Sequence, residues 1–431
     1  MAFANHMNFQ PRFDSGRPLD GDLSPVAPKP EPEIAKTPPG PREIRSLILR
    51  MSLIGFVTAL ASRATDPIIP PIAHDIQVDP NAVALLTTAF ALPFALVQPV
   101  LGPVGDMVGK VRVMMACLAI TIVAMLASGL ATNFTTLIVA RVVAGAAAGG
   151  IFPIGIAVIG DLVPVKDRQV AIARWLVAVI TGNLLGASLS GVVGDLLGWR
   201  GVFYVITGLG VVALVVAVVS LRKAARAQKA TGLSLSGFSR GYGSVFANPR
   251  AKICFGAVFV EGIVIFGLFP FVALMLHAVG ETRASIAGAV IAGFSLGGVI
   301  YALGVPMMVA RWRPDQLMIG GGILAAISLA VVALNVPWQL QVAAFTMLGL
   351  GFYTMHASIQ VTATELSSTA RGAAMSLHAF FFFVGHAMGP ILYGAGFVTL
   401  GSAVTISIAA IIVMAVGFIC ARLLRERTAA E

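Results

Sequence analysis

Charge is scarce in this chain of 431 residues: Asp, Glu, Lys and Arg make up 11% of it, against 58% for the hydrophobic types. Soluble domains run at about a quarter charged, so a water-soluble globule is excluded. Cysteine is nearly absent. Cys117, Cys254 and Cys420 lie far apart, each inside an apolar run, which excludes a disulfide framework or thiolate metal site and leaves three small buried hydrophobes. No metal ligand set and no cofactor are expected. The chain also lacks a G-x4-G-K-[ST] loop for nucleotide phosphates and an H-E-x-x-H pair, so neither an ATPase nor a zinc hydrolase is indicated, and no enzymatic activity is expected. No repeated filter sequence marks a channel. The first residues show no charged-then-apolar segment with a cleavage site, so no signal peptide is expected.

What the chain has in excess is long apolar sequence. Twelve runs, at about 46–69, 82–102, 112–131, 134–158, 170–193, 200–220, 253–277, 285–309, 316–336, 339–361, 372–396 and 401–422, each approach the ~20 residues that a helix needs to cross a ~30 Å hydrocarbon core. Lipid offers backbone groups no partners, so only helices or closed barrels span it, and these runs are too long for barrel strands. The fold expected is an all-α membrane protein with twelve transmembrane helices.

The net charge of +10 would point to nucleic acid in a soluble protein. Here it reports orientation. With a cytoplasmic N-terminus, 25 of the 29 Lys and Arg fall on the inner side, Arg200 and Arg283 fall outside, and Arg63 and Arg141 lie within spans. That asymmetry puts both termini in the cytoplasm. The lipid bilayer, protons and a small-molecule substrate are the partners expected, with no nucleic acid and a monomeric chain.

Residues 1–42 hold 9 of the 24 prolines with mixed charge and read as a disordered cytoplasmic tail. A basic interval at 222–251 divides the spans six and six. The expected organisation is a six-helix half at 43–221, this cytoplasmic linker, a second half at 252–423, and a short tail at 424–431. Sliding the chain on itself by 203 residues places Pro67 and His74 on Pro270 and His277, and Arg168, Ala171, Gly182, Gly186 and Gly191 on Arg371, Ala374, Gly385, Gly389 and Gly394. One constant offset at the first and fifth spans argues for related halves. Halves related by an axis along the membrane normal are a transporter architecture, with the substrate near the midplane.

Several motifs carry more. The connection after span 2 reads GPVGDMVGKVR. Gly102, Asp106, Gly109 and Lys110 there resemble the G-x-x-x-D-[RK]-x-G-[RK] signature of the major facilitator superfamily, with Met107 in place of the usual basic residue. Small residues there permit close helix approach. Span 4 holds Arg141 within LIVARVVAGAAAGG. An arginine at that depth costs at least ~2.5 kcal/mol to insert and faces the bundle with a partner. Leu137-x3-Arg141-x3-Gly145 resembles the span-4 motif of proton-coupled facilitators, where the arginine serves coupling; a structural ion pair is the plain alternative. Thr65-Asp66-x3-Pro70 resembles the T-D-x-x-x-P element of bacterial drug exporters. Asp66 lies 16 residues past Arg50, or ~24 Å along a helix, in the outer half of the membrane. Two partners are open to it: Arg63, one turn earlier, or Arg141 from span 4.

Glu261 sits mid-span 7, opposite Thr58 at the 203 offset rather than opposite Asp66. It suits a protonatable coupling site or a hydrogen bond to a neighbouring helix. Span 5 resembles the helix-bending element of drug antiporters through Gly182 and Gly186, but the proline form stands in span 11 as Gly385-x3-Gly389-Pro390. From the residues alone, plain helix packing explains this spacing first. Arg168 and Arg371 open the fifth helix of each half and read as gate or loop-pairing residues. Trp199 and Arg200 read as an interfacial anchor. Phe90, Phe94, Gln98, Phe152, Asn183, Tyr353, His356 and His386 are the candidates for a substrate cavity. The chain is thus similar to the twelve-span drug:proton antiporter branch of the major facilitators. That resemblance implies proton-driven export of small organic molecules by alternating access across a bacterial inner membrane, with Asp66, Arg141 and Glu261 coupling. The alternative is proton-coupled uptake of a small organic acid or sugar, with Arg141 binding an anionic group.

Overall fold

The computed structural model describes residues 41–163, 165–227, 242–367 and 370–424. Residues 1–40 and 425–431 of the expected tails, and 228–241 of the expected linker, lie outside the described residues. Every described element is helical. The first crossing is α1 (Pro41–Ser62), a 3₁₀ turn (Asp66–Ile68) and α2 (Ile69–Ile76); α3 (Pro80–Val108) and α4 (Lys110–Gly129) follow. The fourth is α5 (Phe134–Gly149) with α6 (Ile151–Leu162), and α7 (Val165–Ala227) carries the fifth and sixth. The seventh combines α8 (Arg250–Glu261), a π turn (Gly262–Phe266), a 3₁₀ turn (Phe269–Phe271) and α9 (Val272–Ala278). The rest are α10 (Ala284–Arg311), α11 (Pro314–Ala333), α12 (Trp338–Glu365), α13 (Arg371–Leu400) and α14 (Ser402–Leu423).

Eleven stretches among the described residues are long and apolar enough to span a bilayer, one of them 52 residues long from Val170 to Leu221. That is ~78 Å of helix, more than twice a membrane. It breaks at Gly198, whose φ of 71° is left-handed, so it crosses twice and the total is twelve. Local chemistry sets several starts. Asp79 accepts from the Asn81 amide at 2.8 Å ahead of α3, and Asn133 from the Thr136 amide at 2.8 Å ahead of α5. The outer faces carry large apolar side chains such as Leu303, Leu196, Val219 and Val398, all more than 70% exposed, as a lipid-facing surface requires.

The 203-residue repeat is written in the backbone. The 3₁₀ turn at Asp66–Ile68 recurs at Phe269–Phe271. Left-handed Gln77 recurs as Gly280, and Gly198 as Gly401. A shared cause is proline: Pro67 and Pro270 lack an amide proton and clash with the carbonyl four residues back, and the regular α-helix has ended ahead of each, after Ser62 in span 1 and after Glu261, through the π turn, in span 7. Helix contacts repeat as well. A Cβ on Gly182 would collide with the Phe56 carbonyl, and one on Gly385 with the Phe259 carbonyl; Gly186 and Gly389 meet the Leu60 and Ile263 carbonyls in the same way. Span 5 therefore lies on span 1 as span 11 lies on span 7. The first span expected at 46–69 needs one correction. Its helix stops at Ser62, so Asp66 lies on a broken turn and not on a continuous helix.

With an even number of crossings, both described ends of the chain lie at one face, here the terminal end; the other is the far end. The two halves meet toward the far end. Thr88 donates to the Ala387 carbonyl at 2.7 Å, and Gly191 and Gly288 rest on the backbone of Ala284 and Ala187. Asp195, at the end of span 5, accepts from the Ala284 and Ser285 amides at 2.8 and 2.9 Å. This places a carboxylate on the positive N-terminus of α10 in the opposite half.

Candidate functional site

Among the described residues, buried ionisable side chains gather in two groups, one in each half. The first is built on the break in span 1. Asp66 is fully buried, accepts from the Thr87 hydroxyl at 2.9 Å, and pairs with Arg63 Nη1 at 3.6 Å. Arg141 is also fully buried. Its Nη1 donates to the Ala61 carbonyl at 3.2 Å, and its guanidinium lies 4.5 Å from the centre of the Phe90 ring. The Ala61 carbonyl belongs to the last turn of α1, where the helical ladder ends and the dipole is negative, a natural seat for a cation. Of the two partners open to Asp66, the close one is Arg63. Arg141 acts on Asp66 through the field and holds the span-1 backbone directly. Arg141 Nε and Nη2 have no hydrogen-bond partner.

Arg63 does more than pair with Asp66. Its guanidinium sits 4.8 Å from the ring centre of Phe266 and 4.9 Å from that of Phe269, both in span 7. These rings stack on each other at 5.1 Å. The contact joins the halves and was not foreseen from the sequence. The offset contained the signal: Phe266 and Phe269 are the repeat counterparts of Arg63 and Asp66, and positions near a pseudo-twofold axis touch their own counterparts.

The second group surrounds Glu261, which is fully buried and lies within 2.6 Å of His356 Nδ1 from span 10. Glu261 therefore has the hydrogen bond to a neighbouring helix that its position allowed. Its other oxygen has no partner. The His356 ring stacks on Phe352 at 4.7 Å and meets His378 edge-on at 5.0 Å. Directly after Glu261 the chain makes its π turn, a distortion that often marks functional sites. The Val264 carbonyl in that turn is satisfied by the Tyr393 hydroxyl at 2.6 Å.

Of the cavity candidates, several join one set of rings. Phe90 and Phe94 stack at 5.9 Å, Phe94 meets Phe383 across the halves at 4.4 Å, and His386 lies between Phe383 and Phe266. Tyr353 and His356 enter the same set through Phe352. Gln98 is buried. Asn183 accepts from the Ser62 hydroxyl at 3.2 Å, fixing span 5 to the end of α1. Phe152 packs in a separate apolar cluster with Met51 and Trp175. A groove of about 610 Å³ lies between spans 3 and 4, lined by residues such as Ile120, Val123 and Val139. None of the cavity candidates lines it.

At the terminal end, Gly102 and Asp106 lie in the last turns of α3, and the surroundings of Gly102 and the side chain of Asp106 fall outside what the structure describes. Gly109 takes a left-handed turn between α3 and α4. Lys110 donates to Asp161 at 2.7 Å, joining the start of span 3 to the end of span 4. Arg168 donates to the Gly160 carbonyl at 2.6 Å, a cation on a helix C-terminus, while Arg371 is exposed. Pro390 sits buried inside α13, beside Gly389. At the far end Trp199 donates to Asp75 at 3.1 Å and Arg200 pairs with the same carboxylate. Arg200 also donates to the Ala131 carbonyl at 3.1 Å. The pair thus ties three loops of the first half.

Twelve apolar helices in two related halves, with a buried ionisable group in each, are the architecture of a multi-pass membrane transporter. Residues 51–390 match the family model of the Major Facilitator Superfamily, and the chain belongs to that family. It is 26% identical over 283 residues to the uncharacterized MFS-type transporter YfhI of Bacillus subtilis, covering 64% of this chain and 69% of that one. It is 23% identical over 344 residues to multidrug resistance protein 1 of Bacillus subtilis, covering 79% and 86%. In fold it is similar to a bacterial homolog of the human lysosomal transporter Spinster in an inward-facing, unoccupied conformation. That match has a TM-score of 0.70 and 20% identity, over 89% of this chain and 98% of that one.

Proposed function

We propose that this secondary transporter exchanges protons for small organic molecules, exporting them across a bacterial inner membrane with both termini in the cytoplasm. The observation that carries the reading is Asp66, a fully buried carboxylate on a broken turn between two arginines and beside the opposite half. A carboxylate held in low dielectric by charge partners changes the stability of its surroundings when it takes up a proton. The halves rock about the midplane, and protonation of Asp66 and Glu261 biases which face is open. Arg141 holds the broken end of α1 in register with Asp66. Glycine contacts between spans 5 and 1, and 11 and 7, keep each half rigid as it moves. Export is supported by the relative named for multidrug resistance, which covers most of the chain.

One observation favours the second reading, proton-coupled uptake of a small organic acid or sugar. The first-half group holds two buried arginines against one carboxylate, and Arg141 has two nitrogens without partners. Such a surplus of donors suits an anionic group.

Everted vesicles separate the two. With a respiration-driven pH gradient in place, lipophilic cations, neutral drugs, sugars and organic acids are added to wild type and to Asp66→Asn. Export predicts that at least one compound collapses the gradient in wild type alone. Gradient collapse of equal size in Asp66→Asn would sink the role of Asp66. Organic-acid accumulation in right-side-out cells, with no response in everted vesicles, would establish uptake instead.

A further inference from the structure

We propose that Arg63 is the positioning residue that carries the protonation state of Asp66 to the contact between the halves, so that ionised Asp66 holds the far end shut. The proposal rests on the reading of Asp66 as a proton-binding group. Arg63 has two attachments in different halves: the Asp66 carboxylate at 3.6 Å, and the stacked Phe266 and Phe269 rings at 4.8 and 4.9 Å. The site is almost dry, since Asp66 is fully buried, Phe269 is 1% exposed and Arg63 itself is 9% exposed. In such surroundings a guanidinium over a ring is held more strongly than at an exposed site, and an ion pair stripped of one partner leaves an uncompensated buried charge.

Both attachments depend on the carboxylate. While Asp66 is ionised, its charge offsets the cost of burying the guanidinium, and the rings of the other half close over it. Once Asp66 is neutral, the dry pocket holds a cation without its counter-charge. Separation of the rings from Arg63 then admits water and lowers that cost, so the far end opens more readily. The other groups that act here come from each packed element: Thr87 of span 2 and Arg141 of span 4 on Asp66, and Tyr353 of span 10 and His386 of span 11 on Arg63. None supplies a second carboxylate to Arg63, so Asp66 is the anion that holds it. The repeat explains why one arginine suffices. Positions 63 and 266 are counterparts that face each other, so a cation on one side meets an aromatic ring on the other rather than a second cation.

The test uses the whole chain in lipid nanodiscs, with the three buried cysteines replaced and spin labels at Thr132→Cys and Gln339→Cys, exposed far-end positions of the two halves. The distance distribution is read from alkaline to acid pH without substrate. In wild type the far-open population rises roughly tenfold on acidification. Arg63→Met and the double variant Phe266→Leu/Phe269→Leu each lose this pH difference, and Arg63→Lys, a cation that cannot lie flat across two rings, restores part of it. Survival of the full wild-type difference in either Arg63→Met or the double phenylalanine variant overturns the inference alone. A difference that survives in Asp66→Asn, or is absent in wild type, overturns both this inference and the titration of Asp66 beneath it.

Discussion

The two halves repeat each other's backbone and not each other's chemistry. The same 203-residue offset relates the broken first helix, the left-handed turns and the glycine contacts. Yet Arg63 and Asp66 become Phe266 and Phe269, Arg141 becomes Ala344, and Thr58 stands where Glu261 would be matched. Backbone geometry is held by constraints that either half must meet alone: a proline that breaks a helix, a glycine that admits a neighbouring carbonyl, a tight turn between spans. Buried charge obeys a different constraint. Each ion costs several kcal/mol to bury, and a symmetric pair of arginines at the axis would add repulsion. One half therefore supplies charge and the other supplies rings. The second acid lies eight residues short of the position matching Asp66, ~12 Å deeper along the helix, so the two carboxylates do not face each other.

The largest effects are expected where the halves agree. Gly182→Leu and Gly385→Leu each drive a side chain into a helix backbone, so both fall by at least the ~1–3 kcal/mol typical of overpacking. Membrane yield and the monodisperse fraction surviving heating in detergent should drop alike for the two. Tolerance of one and not the other would break the equivalence of the halves. The pair Gly191 and Gly394 sharpens it. Gly191 rests on the Ala284 backbone of the other half, whereas Gly394 has only the Phe271 ring at 3.6 Å. Gly191→Ala should disturb the protein where Gly394→Ala does not.

A smaller effect is expected where the halves differ. Glu261→Gln keeps a hydrogen-bonding group 2.6 Å from His356 but removes the ionisable one. If the pair serves proton movement, folding is unchanged while proton-coupled flux falls about tenfold, ~1.4 kcal/mol in the limiting step. Unchanged flux, with His356→Phe alone harmful to yield, would make the pair a structural tie between spans 7 and 10.

The sequence made the architecture legible because lipid imposes length, and length is countable. The repeat was legible through glycines and prolines, since these are the residues whose backbone consequences do not depend on neighbours. Partner choice was not legible. Asp66 had Arg63 and Arg141 both within reach in principle, and only the break after Ser62 directs Arg141 to a helix-end carbonyl. His356 was visible as a polar residue in a span, but its pairing with Glu261 depends on the rotation of two helices 95 residues apart. Asp195 was not legible either, because a carboxylate near a span end looks like an ordinary loop residue until the opposite helix arrives beneath it.

Asp195 gives the smallest effect and the cleanest separation of causes. Its carboxylate caps α10 across the halves, while its repeat counterpart, Val398, faces outward and caps nothing. Losing such a cap costs ~1 kcal/mol, so Asp195→Ala should raise the far-open population about fivefold, and Asp195→Asn by less because an acceptor remains. The cap does not involve Asp66, so the alkaline and acid distributions between Thr132 and Gln339 labels should shift by the same factor. Arg63 variants instead erase the difference between the two pH conditions. If Asp195→Ala also erased it, the far end would be a single cooperative latch, and Arg63 would hold no separate place in it.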